Sequence, residues 1–152
     1  MKKYVFPVTL ALLIGLFMTN FYLNQYDETG KIEINRGSET VYYIQHGAYS
    51  SLDSMKTAMT DFENYIYSEE DGVFHAYVGI TKNKENANKI KKYFNDKGYD
   101  AYIKEKRADN EGFLTILGQY DNILSETNNG ETIKVICNQV LAKYEEIVNV
   151  EM

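Results

Sequence analysis

The sequence predicts an α+β fold: a four-stranded antiparallel sheet with two helices on one face, flanked by an N-terminal transmembrane helix and a C-terminal helical hairpin. Three observations predict it. A β-rich stretch over 41–46 closes on Gly47-Ala48-Tyr49. A related phrase, Ala76-Tyr77-Val78-Gly79-Ile80, follows an intervening helix and is itself followed by a second helix and Tyr99-Asp100-Ala101-Tyr102-Ile103, so a strand–helix–strand unit is written roughly twice. Residues 4–23 carry no charge over about twenty positions, the length that spans a hydrocarbon core.

Lys2 and Lys3 precede the apolar run and Asp27 and Glu28 follow it. The excess of positive charge on the first flank predicts an N-terminus in the cytoplasm (1–3) and the rest of the chain outside the membrane. A cleaved signal peptide would need small residues at its cleavage site, where Thr19-Asn20-Phe21-Tyr22-Leu23 supplies bulky ones, so an uncleaved anchor is the favoured reading. Residues 24–40 are polar, contain Gly30 and Gly37, and read as a linker.

Ser50, Ser51 and Asp53 supply N-cap chemistry for the first helix, and Leu52, Met55, Met59 and Phe62 follow at helical spacing to an end near Asn64. Tyr65-Ile66-Tyr67 reads as a strand, Asp71-Gly72 as a hairpin turn and 73–79 as the returning strand. The second helix opens at 82–85, carries Ala87, Ile90, Tyr93 and Phe94, and stops at Lys97-Gly98. Residues 99–104 make the last strand.

Alternation along the strands sorts the side chains by face. Ile44, Ile66, Phe74, Ala76, Val78, Ala101 and Ile103 form the set expected to meet the helices. Tyr43, Gln45, Tyr65, Tyr67, His75, Tyr77, Tyr102 and Lys104 form the opposite set. A solvated sheet face would carry charges and threonines; this one carries tyrosines, a glutamine and a histidine. Tyrosine rings stack on the C–H faces of sugars, and Gln and His hydrogen-bond the hydroxyl edges. The plainer alternative is that these tyrosines are simply good strand formers, or that the C-terminal helices cover them.

Beyond the sheet, Phe113, Ile116, Leu117, Tyr120 and Leu124 make one helical stripe, and Ile133, Ile136, Cys137, Val140, Leu141, Tyr144 and Val148 make another. The segment 107–152 is expected to pack as a hairpin on the domain; a partner-binding surface is the rival reading. Cys137 is the single cysteine, which excludes an internal disulfide. It reads as a small buried hydrophobe, or else as half of an intermolecular disulfide. The chain holds 152 residues with a net charge of −6, and setting Lys2 and Lys3 aside leaves 14 basic against 22 acidic residues. Such a balance argues against nucleic acid as a partner, since phosphate-backbone binding needs clustered cations. No phosphate loop, nucleophile elbow or metal motif is present, and His46 and His75 are expected on opposite sheet faces. The chain is therefore expected to be no enzyme and to need no metal or other cofactor.

The order Gln45-x-Gly47-x-Tyr49, then Val78-Gly79, then Gly98-Tyr99-Asp100-Ala101-Tyr102 resembles the SPOR domain, the peptidoglycan-binding module of many bacterial division and sporulation proteins. The resemblance covers residues 42 to about 106, within a domain drawn at 41–106. It implies a ribonucleoprotein-like βαββαβ fold that binds denuded glycan strands without catalysis. It implies glycan contacts at Gln45, with Tyr43, His75, Tyr77 and Tyr102 lining the same groove, and turn roles for Gly47 and Gly79. The sequence departs from the family at His46, where an aliphatic residue is usual. It also lacks an aromatic shortly after Gly79, and has His75 and Tyr77 where an arginine is common. The expected partners are peptidoglycan glycan strands, the cytoplasmic membrane through residues 4–23, and division or sporulation proteins. The rival function is a protein–protein interaction module of such a complex.

Overall fold

A computed structural model describes residues 38–148. The predicted tip, anchor and most of the linker lie outside the described residues. Among the described residues no helix is long and apolar enough to cross a membrane.

The elements run β1 (Glu39–Tyr49), α1 (Leu52–Ala58), β2 (Ile66–Glu70), β3 (Val73–Thr81), α2 (Lys84–Asp96), β4 (Tyr102–Ala108), α3 (Glu111–Glu126) and α4 (Gly130–Val148). The sheet is antiparallel in the order β2-β3-β1-β4. The predicted β-α-β-β-α-β order is present. The first strand begins inside the expected linker, and the last runs four residues beyond Lys104.

Local chemistry sets most boundaries. Ser51 Oγ accepts from the Ser54 N–H at 3.1 Å, and Asn83 Oδ1 accepts from the N–H groups of Glu85 and Asn86, capping α1 and α2. Gly98, at φ +90°, ends α2 in a Schellman turn: Tyr99 N–H donates to Phe94 O and Gly98 N–H to Asn95 O, both at 3.0 Å. Asp71 and Gly72 both have positive φ, the signature of the two-residue hairpin turn that matches strand twist. α1 ends at Ala58 rather than near Asn64. The chain leaves the helix there and Phe62 joins an aromatic cluster, its ring 4.9 Å from His46, 4.8 Å from Tyr99 and 6.0 Å from Phe94.

The helix face of the sheet carries Ile44 opposite Gly79 and Ile103. A Cβ at Gly79 would lie 3.1 Å from Ile90 Cγ2 and 3.4 Å from both Ile44 Cγ1 and Cys137 Sγ, so α2 and α4 approach the strand there as closely as glycine allows. β2 pairs with β3 only through Tyr77. Cys137 brings α4 against the stretch of β3 beyond that point, where a bare strand edge would otherwise remain. Phe113, Leu117, Leu124, Ile136, Val140 and Leu141 of the hairpin are fully buried in one core with Val41, Ile44, Met55, Ile80 and Ile90. At ~1.5–3 kcal/mol for each large apolar side chain, these six contribute on the order of 10 kcal/mol before ordering costs. The hairpin is thus part of the fold, and its apolar stripes are spent on packing.

A polar staple joins the same parts. The buried Asp121 carboxylate accepts from the Thr81 hydroxyl, from the Lys82 N–H at 2.8 Å and from Asn86 Nδ2 at 3.2 Å. Burial raises its pKa, and these hydrogen bonds offset only part of that rise.

Candidate functional site

Residues opposed in register share a sheet face, and the register defines the face turned away from α1 and α2. Gln45 lies between Tyr102 on β4 and Tyr77 on β3, and Tyr77 lies opposite Ile66 on β2. Tyr43 faces Lys104 and Ile80 in the next row; His75 faces Ala48 and Ser68 on the other side. Two register shifts, between Ile44 and Gln45 and between Gln45 and Gly47, leave Val78 of β3 and His46 of β1 out of the ladder, so Tyr77 and Ile80 share the face of Tyr43 and Gln45 while His46 turns to the helix side. There His46 Nδ1 hydrogen-bonds the Asp100 carbonyl at 2.9 Å and its ring packs against Phe62 and Tyr99. The structure therefore brings Tyr43, Gln45, His75, Tyr77 and Tyr102 onto one face.

Two expected members fall elsewhere. Tyr67 lies opposite Ala76, with its ring 6.2 Å from Phe74, so it belongs to the other face, and Ile66 takes its place beside Tyr77. The hairpin turn dictates this: counting back from the Glu70–Val73 pair puts Ile66, not Tyr67, on the Tyr77 face. Tyr65 precedes β2. It lines a cleft of about 590 Å³ with Glu63, Asn64, Ile66, Tyr67, Tyr144 and Glu145.

The face is not the open tyrosine surface that alternation alone suggests. Tyr43 is 7% exposed, Gln45 7% and Tyr77 3%. Two features close over them. From α4, Tyr144 sets its ring edge-on to Tyr43 at 6.4 Å and is backed by Phe113 at 5.2 Å. From β4, Lys106 lays its ammonium over the rings of Tyr77 at 4.7 Å and Tyr43 at 5.5 Å, then reaches Glu70 at 3.4 Å. Beneath it Tyr43 and Tyr77 meet edge-on at 5.3 Å, and the Tyr77 hydroxyl lies 3.2 Å from Ser68 Oγ. Burial, reinforced by Tyr144, pushes the Tyr43 hydroxyl far above the ordinary phenol range. Burial alone would lower Lys106, but its contacts with Tyr77 and Glu70 outweigh that and raise it, so the ammonium stays charged.

What remains accessible is the β4 side. Tyr102 is 54% exposed, with the exposed Lys104 two residues on, and His75 is half-buried at the β3 end. Lys106, Glu70 and Ser68 were missed by the sequence reading. Continuing the Tyr102, Lys104 alternation by one step would have placed Lys106 on this face. Among the described residues no three His, Cys, Asp or Glu come together as a metal site.

Fold and site together define a four-stranded α+β domain with an aromatic face strapped by one ion pair and flanked by a helical hairpin. No protein-family model and no curated protein matches the chain. Among solved structures it is similar to the solution structure of the peptidoglycan binding domain of the B. subtilis cell wall lytic enzyme CwlC, at 21% identity and a TM-score of 0.40, over 46% of this chain and 94% of that one.

Proposed function

We propose that this chain is a non-catalytic, membrane-anchored protein that binds peptidoglycan glycan strands lacking stem peptides and acts at the division septum or in sporulation. The observation that carries the reading is the exposed Tyr102 ring beside Lys104, on the same face as Gln45, His75 and the Tyr43–Tyr77 pair. A sugar ring stacks on Tyr102, and the lysine ammonium and the histidine donate to hydroxyls along the strand. The order of motifs over residues 42–106 supports the ligand class, and the uncharged run at 4–23 supports the anchor. In this reading residues 1–3 stay in the cytoplasm, the domain stands outside the membrane, and its task is to hold the protein where bare glycan is exposed.

The test is localisation of a fluorescent fusion to the full chain in dividing and sporulating cells. Accumulation at septa that is lost with Tyr102→Ala is expected. An even membrane signal, unchanged by that substitution, contradicts the proposal and moves the function to a protein partner.

A further inference from the structure

We propose that Lys104 is the residue that tells stripped glycan from intact peptidoglycan, by pairing with the free carboxylate that loss of a stem peptide leaves on the strand. The inference rests on the glycan-binding reading above and assigns its specificity to one side chain. Stem peptides join the strand through an amide on the lactyl ether of every second sugar. The amide is neutral, and cleaving it leaves a carboxylate in the same place. Stripped and intact strands therefore differ in charge as well as in bulk, and a cation on the binding face reads that difference.

In the β1–β4 register Tyr102 lies opposite Gln45 and Lys104 opposite Tyr43, successive rows of one face. The next lysine along, Lys106, is committed to Glu70 and to the rings of Tyr77 and Tyr43. Lys104 is exposed and has no ion pair or hydrogen bond among the described residues. The chain carries a net charge of −6, so its overall field repels an anionic strand and the attraction has to come from a local cation. Gln45 independently marks the spot as a ligand site. It is 7% exposed, yet its amide makes no hydrogen bond among the described residues, and neither its oxygen nor its nitrogen is sealed off from the face. A nearly buried amide is costly unless a polar group meets it. With a sugar ring stacked on Tyr102, Gln45 stands one strand across and Lys104 one row along. The ammonium has three N–H donors, enough for a carboxylate and a ring hydroxyl together.

The experiment is a binding titration of the full-length protein, purified in mild detergent, with two tetrasaccharides of alternating N-acetylglucosamine and N-acetylmuramic acid. One carries free lactyl carboxylates; in the other they are methylamides, neutral and without a stem. The acid is expected to bind about three- to fivefold more tightly at low salt, the scale of one exposed ion pair, and the preference to shrink as salt rises. In Lys104→Met the two are expected to bind alike, and in Lys104→Arg the preference is expected to be kept. The position is exposed, and circular dichroism verifies the fold. Equal binding of both tetrasaccharides to the wild type overturns the carboxylate pairing and leaves glycan binding standing. A preference that persists in Lys104→Met also overturns it, tracing the charge readout to another cation. Binding of neither by folded protein overturns the pairing and the glycan reading together.

Discussion

Lys106 and Glu70 stand on strands at opposite edges of the sheet, yet their charged groups meet at 3.4 Å. Three strand spacings, about 14 Å, separate such strands in a flat sheet. Lys106 pairs with Val41 near the start of β1 and Glu70 with Val73 at the start of β3, diagonal corners of the sheet, so twist and the two register shifts between β1 and β3 curl these corners toward each other over one face. The pair forms a strap over Tyr43 and Tyr77, and a ligand reaching those rings has to displace it.

Neutralising one end of the strap should free the groove. Glu70→Gln is expected to change stability by less than about 1 kcal/mol, because the Glu70 side chain is largely in water and Lys106 keeps about a third of its surface there. Retention on stripped glycan should rise several-fold and become less sensitive to salt, since the competing ion pair is gone. Unchanged retention and salt dependence would show that the strap does not gate the site.

The cover from the hairpin is structural. Tyr144→Ala is expected to cost about 2 kcal/mol, less than a fully buried aromatic, because Tyr144 is only half-buried against Tyr43 and Phe113. Denaturant unfolding would measure this, and acrylamide quenching should report greater tyrosine exposure. A loss below about 0.5 kcal/mol contradicts the packing described.

Asp121 predicts an inverted pH response. Its folded pKa is raised, so its contribution is fully present below the ordinary Asp value of about 3.9 and is lost as pH rises through the folded value. Stability of the wild type relative to Asp121→Asn should therefore improve as pH falls through the mildly acidic range. A difference that stays constant, or that shrinks as pH falls, refutes this. Asp121→Ala should cost about 1–3 kcal/mol at neutral pH by stranding the Thr81, Lys82 and Asn86 donors.

Cys137 should be inert while the protein is folded. It is buried against Gly79, and burial pushes its thiol up to about 12. Alkylation should follow the rate of global unfolding, and no disulfide-linked dimer should form under native oxidising conditions. Fast native labelling would contradict this placement.

The fold was legible where local chemistry decides it: the cap at Ser51, the stop at Gly98 and the turn at Asp71-Gly72 all fall where their residue types require. The site was legible only in part. Strand alternation gathered Tyr43, Gln45, His75, Tyr77 and Tyr102 correctly onto one face. It misassigned Ile66 and Tyr67, because an apolar residue was taken to face the two predicted helices, whereas pairing back from the Glu70–Val73 turn puts Ile66 opposite Tyr77. Closure over Tyr43 and Tyr77 depends on Tyr144, a hundred residues away from Tyr43 in sequence, and on sheet curl that brings Lys106 to Glu70. Neither is written in the periodicity of a single strand.

Co-sedimentation of the full-length protein with peptidoglycan stripped of stem peptides, run beside Tyr102→Ala, asks whether the open part of the sheet face holds glycan. The expected result is greater retention on stripped than on intact peptidoglycan, lost in a Tyr102→Ala protein whose stability lies within about 0.5 kcal/mol of wild type. Equal retention of the variant, or no retention of either folded protein, contradicts it.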